Sequence, residues 1–441
     1  MSTAQIPLGQ IWAIRGEVVV EDAVLPDAAV VVEKDAIVFA GLIGEAPPEL
    51  AGVIEDARVW DGYILPGLVD AHCHGGGGQS FPNAASAEEA MIAVMEHRRH
   101  GTTSLVASLV TDLPEELTRQ TSLLAELCES GELAAIHLEG PFLDQNCAGA
   151  QDPAKMEPPN PDLVLSLAKA ARGHLATMTL APELPGVVSG DSDQLSVIQA
   201  LAAAGAVPCF GHTECSPHEL RLAIDASVLA LARAAAGDLD AGGSAASAPE
   251  DGGRAAARAS RAVVRSSRPV ATHMFNGMPP VHHRRPGPAL ECLAQSSQGG
   301  LAVELIADGV HLDPDTVRDV FAIAEPGTVL LVTDAMAAAG MPDGSYQLGP
   351  MAVTVADGVA RIAGSDSIAG STSHLIDAVR SAVFESDVPV QVAVRAASAT
   401  PARVLGIGHE VGSLMAGRRA DLILADRGLT GQEVYRAGAL V

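Results

Sequence analysis

Apolar residues recur along the middle of the chain in eight short runs, each closed by polar or turn-forming residues. They are LPGLVDAHCH, TTSLVASLV, AAIHLEGP, ATMTLAPE, AVPCFGH, PVATHMFN, LAVELIADGVH and TVLLVTDAM. Runs this short and rich in β-branched residues read as buried strands, and the stretches between them carry helical signals. Ser86, with Glu89 three residues on, is a capping box ahead of AMIAVMEHRRH. Eight alternating strand and helix units predict an α/β chain folded as a (β/α)8 TIM barrel over residues 66–378. The ends have a different texture. EVVV, AAVVVEKDAIVFAG and AGVIEDARVW near the start, and GSLMAGRRADLILAD and EVYRAGAL near the finish, are strand-like runs broken by Pro, Asp and Gly. Residues 1–65 and 379–441 are therefore expected to pair as a small β-sandwich domain. Residues 227–267, rich in Ala, Gly, Ser and Arg, read as a mobile insertion between the fifth and sixth strands.

Composition narrows what such a fold does. The 441 residues hold 54 acidic and 27 basic side chains, a net charge of −27, with only three lysines. That charge repels a nucleic-acid backbone, so no nucleic-acid partner is expected. An anionic ligand must be met by local arginines and backbone N–H groups. No stretch of about 18 residues is free of both charges and turn residues, which argues against a membrane span, and the start lacks a signal-peptide layout. A cytoplasmic location is the resulting expectation. The six cysteines are scattered without a CxxC pair and read as reduced thiols.

The chemistry lies where the runs end. His72 and His74 close the first, Glu139 the third, His212 the fifth, His273 the sixth and Asp334 the eighth. Alternation along a strand sends His72 and His74 to one side, where they form a chelating pair. Taken singly, each residue has an ordinary structural role as a cap or a hydrogen-bonded histidine. Five strand ends out of eight supplying a ligand or a base favours a metal site. A divalent ion held by imidazole and carboxylate acidifies water, and an adjacent Asp334 is the candidate general base. His and Glu donors suit zinc first, with iron, manganese, cobalt or cadmium as alternatives, one or two ions per subunit.

The series LPGLVDAHCHG, HLEGPF, GHT, THMFNGMPP, HHRRPG, ADGVH and LVTDAM resembles, in order, the N-acetylglucosamine-6-phosphate deacetylase family of the amidohydrolase superfamily. The resemblance implies a cytoplasmic homodimer that hydrolyses N-acetyl-D-glucosamine 6-phosphate to D-glucosamine 6-phosphate and acetate in amino-sugar catabolism. It implies Glu139, His212 and His273 as ligands of the main metal, His72 and His74 as ligands of a second, and Asp334 as base. Ala150, Asn276, Gly277, Arg284, His311, Ile368, Ala369 and Gly370 would then bind substrate, with Arg284 at the phosphate. Arg285 departs from the family, which usually has an acidic residue there. Many related barrels bridge two metals with a modified lysine on the fourth strand. None of Lys34, Lys155 and Lys169 ends a strand, so Glu139 would have to bridge. Cys147 reads as a spectator thiol near the site, and Cys73 as structural. An amidohydrolase for another N-acyl or cyclic amide and a non-catalytic metal-binding scaffold are the rival readings.

Overall fold

The computed structural model describes residues 11–190, 194–239, 265–430 and 432–441. Eight parallel strands follow one another in a single sheet: Leu68–Cys73, Thr102–Leu109, Ala135–Glu139, Leu175–Leu180, Val207–Phe210, Val270–Ala271, Ala302–Leu305 and Val329–Leu331. Seven lie wholly within the apolar runs of the sequence, and the fourth starts one residue ahead of its run, at Leu175. The last strand returns to the first just beyond its end: the Asp334 N–H donates to His72 O at 2.9 Å, and the His74 N–H to Ala335 O at 2.7 Å. These bonds close the barrel at the level of the candidate site.

Alternation sorts the side chains. On Ala135–Glu139, Ile136 and Leu138 join the large core between strands and helices, while Ala135 joins an inner cluster with Val106, Val207, Val270, Ala302 and Leu330. His137 and Glu139 share the parity of Ala135, so the apolar inner face turns polar toward the strand's C-terminal end. The bottom of the inner cluster is sealed by Ala402, Val404, Leu405 and Val411. The expected domain boundary lies at 378. Helix Leu375–Phe384 runs straight through that position, and it and helices Val390–Ala396 and Ala399–Val404 pack on barrel strands.

The chain ends form one seven-stranded sheet from Ile11–Val19, Val24–Glu33, Ala36–Leu42, Arg58–Pro66, Leu422–Ala425, Gln432–Arg436 and Ala439–Leu440. It curls enough to bring Trp12 within 5.2 Å (ring centroids) of Tyr435 from three strands away, enclosing a core as a sandwich does. The run AGVIE, read as extended, is instead the short helix Ala51–Glu55.

Helix Ala87–Arg99 begins at Ser86, whose side chain accepts from the Glu89 N–H, while Glu89 accepts from the Ala85 N–H. The insertion starts later than the composition suggested: helix Pro217–Ala235 continues through residue 227 and buries Ser227 and Ala230. Its central residues, 240–264, lie outside the described residues. Where the chain resumes, the Arg265 guanidinium donates to Gly205 O at 2.5 Å and Gly173 O at 3.2 Å. A three-stranded sheet, Gly344–Leu348, Met351–Ala356 and Val359–Ile362, had no counterpart in the sequence reading; it packs beside Val110, Met336 and Ala369 after the eighth strand.

Candidate metal centre

Five of the predicted residues gather around a sixth, the buried carboxylate of Glu139. Glu139 Oε1 lies 2.8 Å from His212 Nε2 and 2.8 Å from His273 Nε2. Its other oxygen, Oε2, lies 3.2 Å from His74 Nε2 and 3.9 Å from His72 Nε2. Asp334 Oδ1 faces the same pair, 3.2 Å from His74 Nε2 and 3.6 Å from His72 Nε2. His72 and His74 meet through their Nε2 atoms at 3.1 Å, as alternation required. Glu139 therefore spans two groups of donors, one on each oxygen.

The backbone at this centre is strained. His212, His273 and Asp334 have φ values of 49°, 28° and 47°, a region that costs non-glycine residues about 1–3 kcal/mol and recurs at functional sites. Gly277 sits at φ 60°, and a Cβ there would come within 2.9 Å of His212 Nδ1; only glycine lets that loop lie against the imidazole.

The histidines have lone pairs to give. His212 Nδ1 lies 2.8 Å from the Cys147 carbonyl and His74 Nδ1 3.2 Å from the Ser108 carbonyl. A carbonyl only accepts, so each Nδ1 carries hydrogen and each Nε2 is left to a proton or a metal. His72 Nδ1 is held in the same way by Glu304 Oε2 at 3.1 Å. Each Nε2 faces a carboxylate oxygen, and lone pair against lone pair is repulsive, so a cation belongs between them. With protons alone in that place, burial works against charged imidazoles, but the carboxylates outweigh it. Asp334 and Glu139 raise His74 to about 10, and Glu139 raises His273 to about 9. Burial likewise opposes the carboxylate form of Asp334, yet His72 and His74 hold it at about 2. Two anions and four imidazoles, with no buried lysine or arginine at the centre among the described residues, form a donor set that fits a divalent ion.

Of the expected substrate residues, several adjoin this centre. The Asn276 side chain donates to His273 O at 3.2 Å, and Gly277 O accepts the Thr213 N–H beside His212. Ile368, Ala369 and Gly370 run past the end of the eighth strand, where a Cβ at Gly370 would lie 2.6 Å from Asp334 O. Ala150 packs near Val110 and Met336. Arg284 and His311 touch none of the six. Arg284 is on an exposed loop, its N–H directed at His282 Nδ1, and His311 Nδ1 bonds Asp308 Oδ2 at 2.8 Å. The Cys147 thiol is pushed up to about 11 by burial and by the nearby Asp144, Glu214 and Glu183 carboxylates, which keeps it a neutral spectator. Cys73 points to His97 Nε2, 3.3 Å away, and not to the cluster.

Three participants were not foreseen. Gln151 donates to Glu139 Oε2 at 2.6 Å. Glu304 accepts from the His273 N–H at 3.1 Å as well as facing His72. The His137 ring lies 4.6 Å from that of His72, held between the Thr177 and Thr179 hydroxyls. An acid buried inside an apolar run was the available signal for Glu304. Gln151, in a loop, offered none.

This geometry has known relatives. The model of the amidohydrolase family matches residues 63–437. A human N-acetylglucosamine-6-phosphate deacetylase is 31% identical over 400 residues, covering 88% of this chain and 86% of its own. The chain belongs to the N-acetylglucosamine-6-phosphate deacetylase family of amidohydrolases. An Escherichia coli N-acetylgalactosamine-6-phosphate deacetylase is 29% identical over 405 residues, covering 91% and 92%. The crystal structure of the Mycobacterium smegmatis N-acetyl-D-glucosamine-6-phosphate deacetylase superposes with a TM-score of 0.81 at 36% identity, covering 98% of this chain and 100% of the other. As an amidohydrolase, the chain carries its polar cluster at the C-terminal ends of the strands, where barrel enzymes keep their active sites.

Proposed function

We propose that this deacetylase hydrolyses N-acetyl-D-glucosamine 6-phosphate to D-glucosamine 6-phosphate and acetate, as a step of amino-sugar catabolism. The observation that carries the reading is the convergence of Glu139, His212, His273, His72, His74 and Asp334 in a family of that activity. Glu139, His212 and His273 would hold the main ion and His72, His74 and the second oxygen of Glu139 another. Zinc is our first assignment. When bound, the ion supplies Lewis acidity to the acetyl carbonyl and to water. Asp334 takes the proton of the attacking water and returns it to the amide nitrogen as the C–N bond breaks and the C–O bond forms. Asn276, Gly277, His311 and the Ile368–Gly370 backbone position the sugar and its acetamido group, with Ala150 lining the pocket.

Arg284 is our phosphate ligand, since its guanidinium has no ion pair among the described residues and a planar fork suits a phosphate. Arg284→Ala should raise KM for the phosphorylated sugar by about 10- to 100-fold while leaving the weak turnover of N-acetylglucosamine nearly unchanged. Equal effects on the two substrates would favour the rival reading, an amidohydrolase for another N-acyl compound. Assaying the C4 epimer alongside tests the galactosamine substrate named for the E. coli relative.

Metal uptake should release protons. His74 and His273 are held protonated up to about 10 and about 9 by their carboxylate neighbours, so an entering ion displaces protons from them below those values. Affinity is then expected to rise from pH 6 to about pH 9, and calorimetry in buffers of different ionisation enthalpy should show the release. Affinity independent of pH would argue against these ligands.

We place the enzyme in the cytoplasm as a homodimer. Among the described residues no helix is long and apolar enough to cross a membrane. Leu222, Leu229 and Leu290, 47%, 62% and 45% exposed, lie on the packed helices Pro217–Ala235 and Gly287–Ser296, which we assign to the partner contact.

A further inference from the structure

The eight residues from Asp144 to Gln151 fasten themselves to two of the central residues at three points. The Asp144 N–H donates to His212 O at 3.0 Å, Cys147 O faces His212 Nδ1 at 2.8 Å, and Gln151 Nε2 donates to Glu139 Oε2 at 2.6 Å. The Gln151 amide is buried, 3% exposed, and its orientation is not free. Its Oε1 accepts the Thr111 N–H at 2.8 Å, a group that only donates, and its Nε2 meets a carboxylate, which only accepts. Thr111 reinforces the arrangement, its hydroxyl donating to Glu139 O at 3.0 Å. Of the two Glu139 oxygens, Oε1 faces His212 and His273, and Oε2 is the one that Gln151 engages.

We propose that Gln151 is a positioning residue that fixes the rotation of the Glu139 carboxylate, and so decides which oxygen each group of histidines shares. A carboxylate on a flexible stem has no intrinsic preference between its two oxygens. One neutral donor, itself locked by a backbone N–H, supplies the preference without adding a charge that would compete for the ion. The segment 144–151 acts through the same contacts as a strap, setting the hydrogen on His212 Nδ1 and the direction of Glu139 together. Ala150 belongs to this strap, so a sugar resting on it would press on the centre's geometry. The proposal rests on the metal reading above.

Gln151→Met separates the two halves of the contact. The thioether is close in shape to the amide and accepts weakly from the Thr111 N–H, but it has nothing to donate to Glu139. Gln151→Leu removes both halves and is the second variant. Metal-free thermal midpoints report whether each folds. In the Met variant, zinc affinity by chelator competition is expected to fall about 10- to 100-fold, the usual effect of losing a ligand-orienting contact. The visible spectrum of the cobalt-loaded protein should shift, and kcat should drop more than KM rises. If wild-type protein binds zinc and both folded variants bind it equally, with the same cobalt spectrum, the proposal is overturned while the metal reading stands. If wild-type protein takes up neither zinc nor cobalt, the metal reading itself fails.

Discussion

Asp334→Asn is expected to lower kcat by about 10²- to 10⁴-fold, the range that a general base contributes, while the protein keeps its fold and the metal at Glu139, His212 and His273. The amide is nearly isosteric with the acid. It preserves the backbone bond from the residue 334 N–H to His72 O, which closes the barrel. It cannot accept and return a proton. The Oδ1 atom stands 3.2 Å from His74 Nε2 and 3.6 Å from His72 Nε2, at the edge of the cluster, whereas Glu139 stands at its middle. Acetate release measured together with metal content per chain checks the expectation. Near-normal turnover with metal bound would remove Asp334 from the mechanism.

Glu139→Gln should have the broader effect. One carboxylate faces four imidazoles through its two oxygens, so losing its charge weakens both donor groups at once. The variant is expected to retain little metal after dialysis and to lose activity on the order of 10³-fold or more. His72→Ala, by contrast, touches only the second group. Elemental analysis of both variants distinguishes a shared carboxylate from two independent sites: metal remaining at full occupancy in the Gln variant would exclude the bridging role.

The barrel was legible in the sequence because each strand is a short apolar run flanked by turn residues. The six central residues were legible because they end those runs. The limits follow from the same logic. Glu304 lies inside LAVELIADGVH, and the apolar Ile306 and Ala307 carry the run past the strand's end at Leu305. Gln151 acts through a loop whose path is set by tertiary contacts with Thr111 and Glu139. The boundary expected at 378 falls inside helix Leu375–Phe384, whose Leu375, Ile376, Val379 and Ala382 are all buried. Short apolar stretches do not reveal whether they seal a barrel or start a second sheet. Backbone φ is equally hidden, since nothing in Gly-His-Thr announces a left-handed histidine.

Those left-handed residues carry a consequence for anyone seeking a hardier enzyme. His212, His273 and Asp334 are places where the folded chain holds itself in unfavourable conformations. A search that ranks substitutions by heat tolerance would be drawn to them, because glycine or asparagine sits there more comfortably. Each gain in melting temperature at these three positions would come from dismantling the proposed catalytic apparatus. Stabilising changes should be sought instead in the outer helices and the terminal sheet, and the three strained positions left alone.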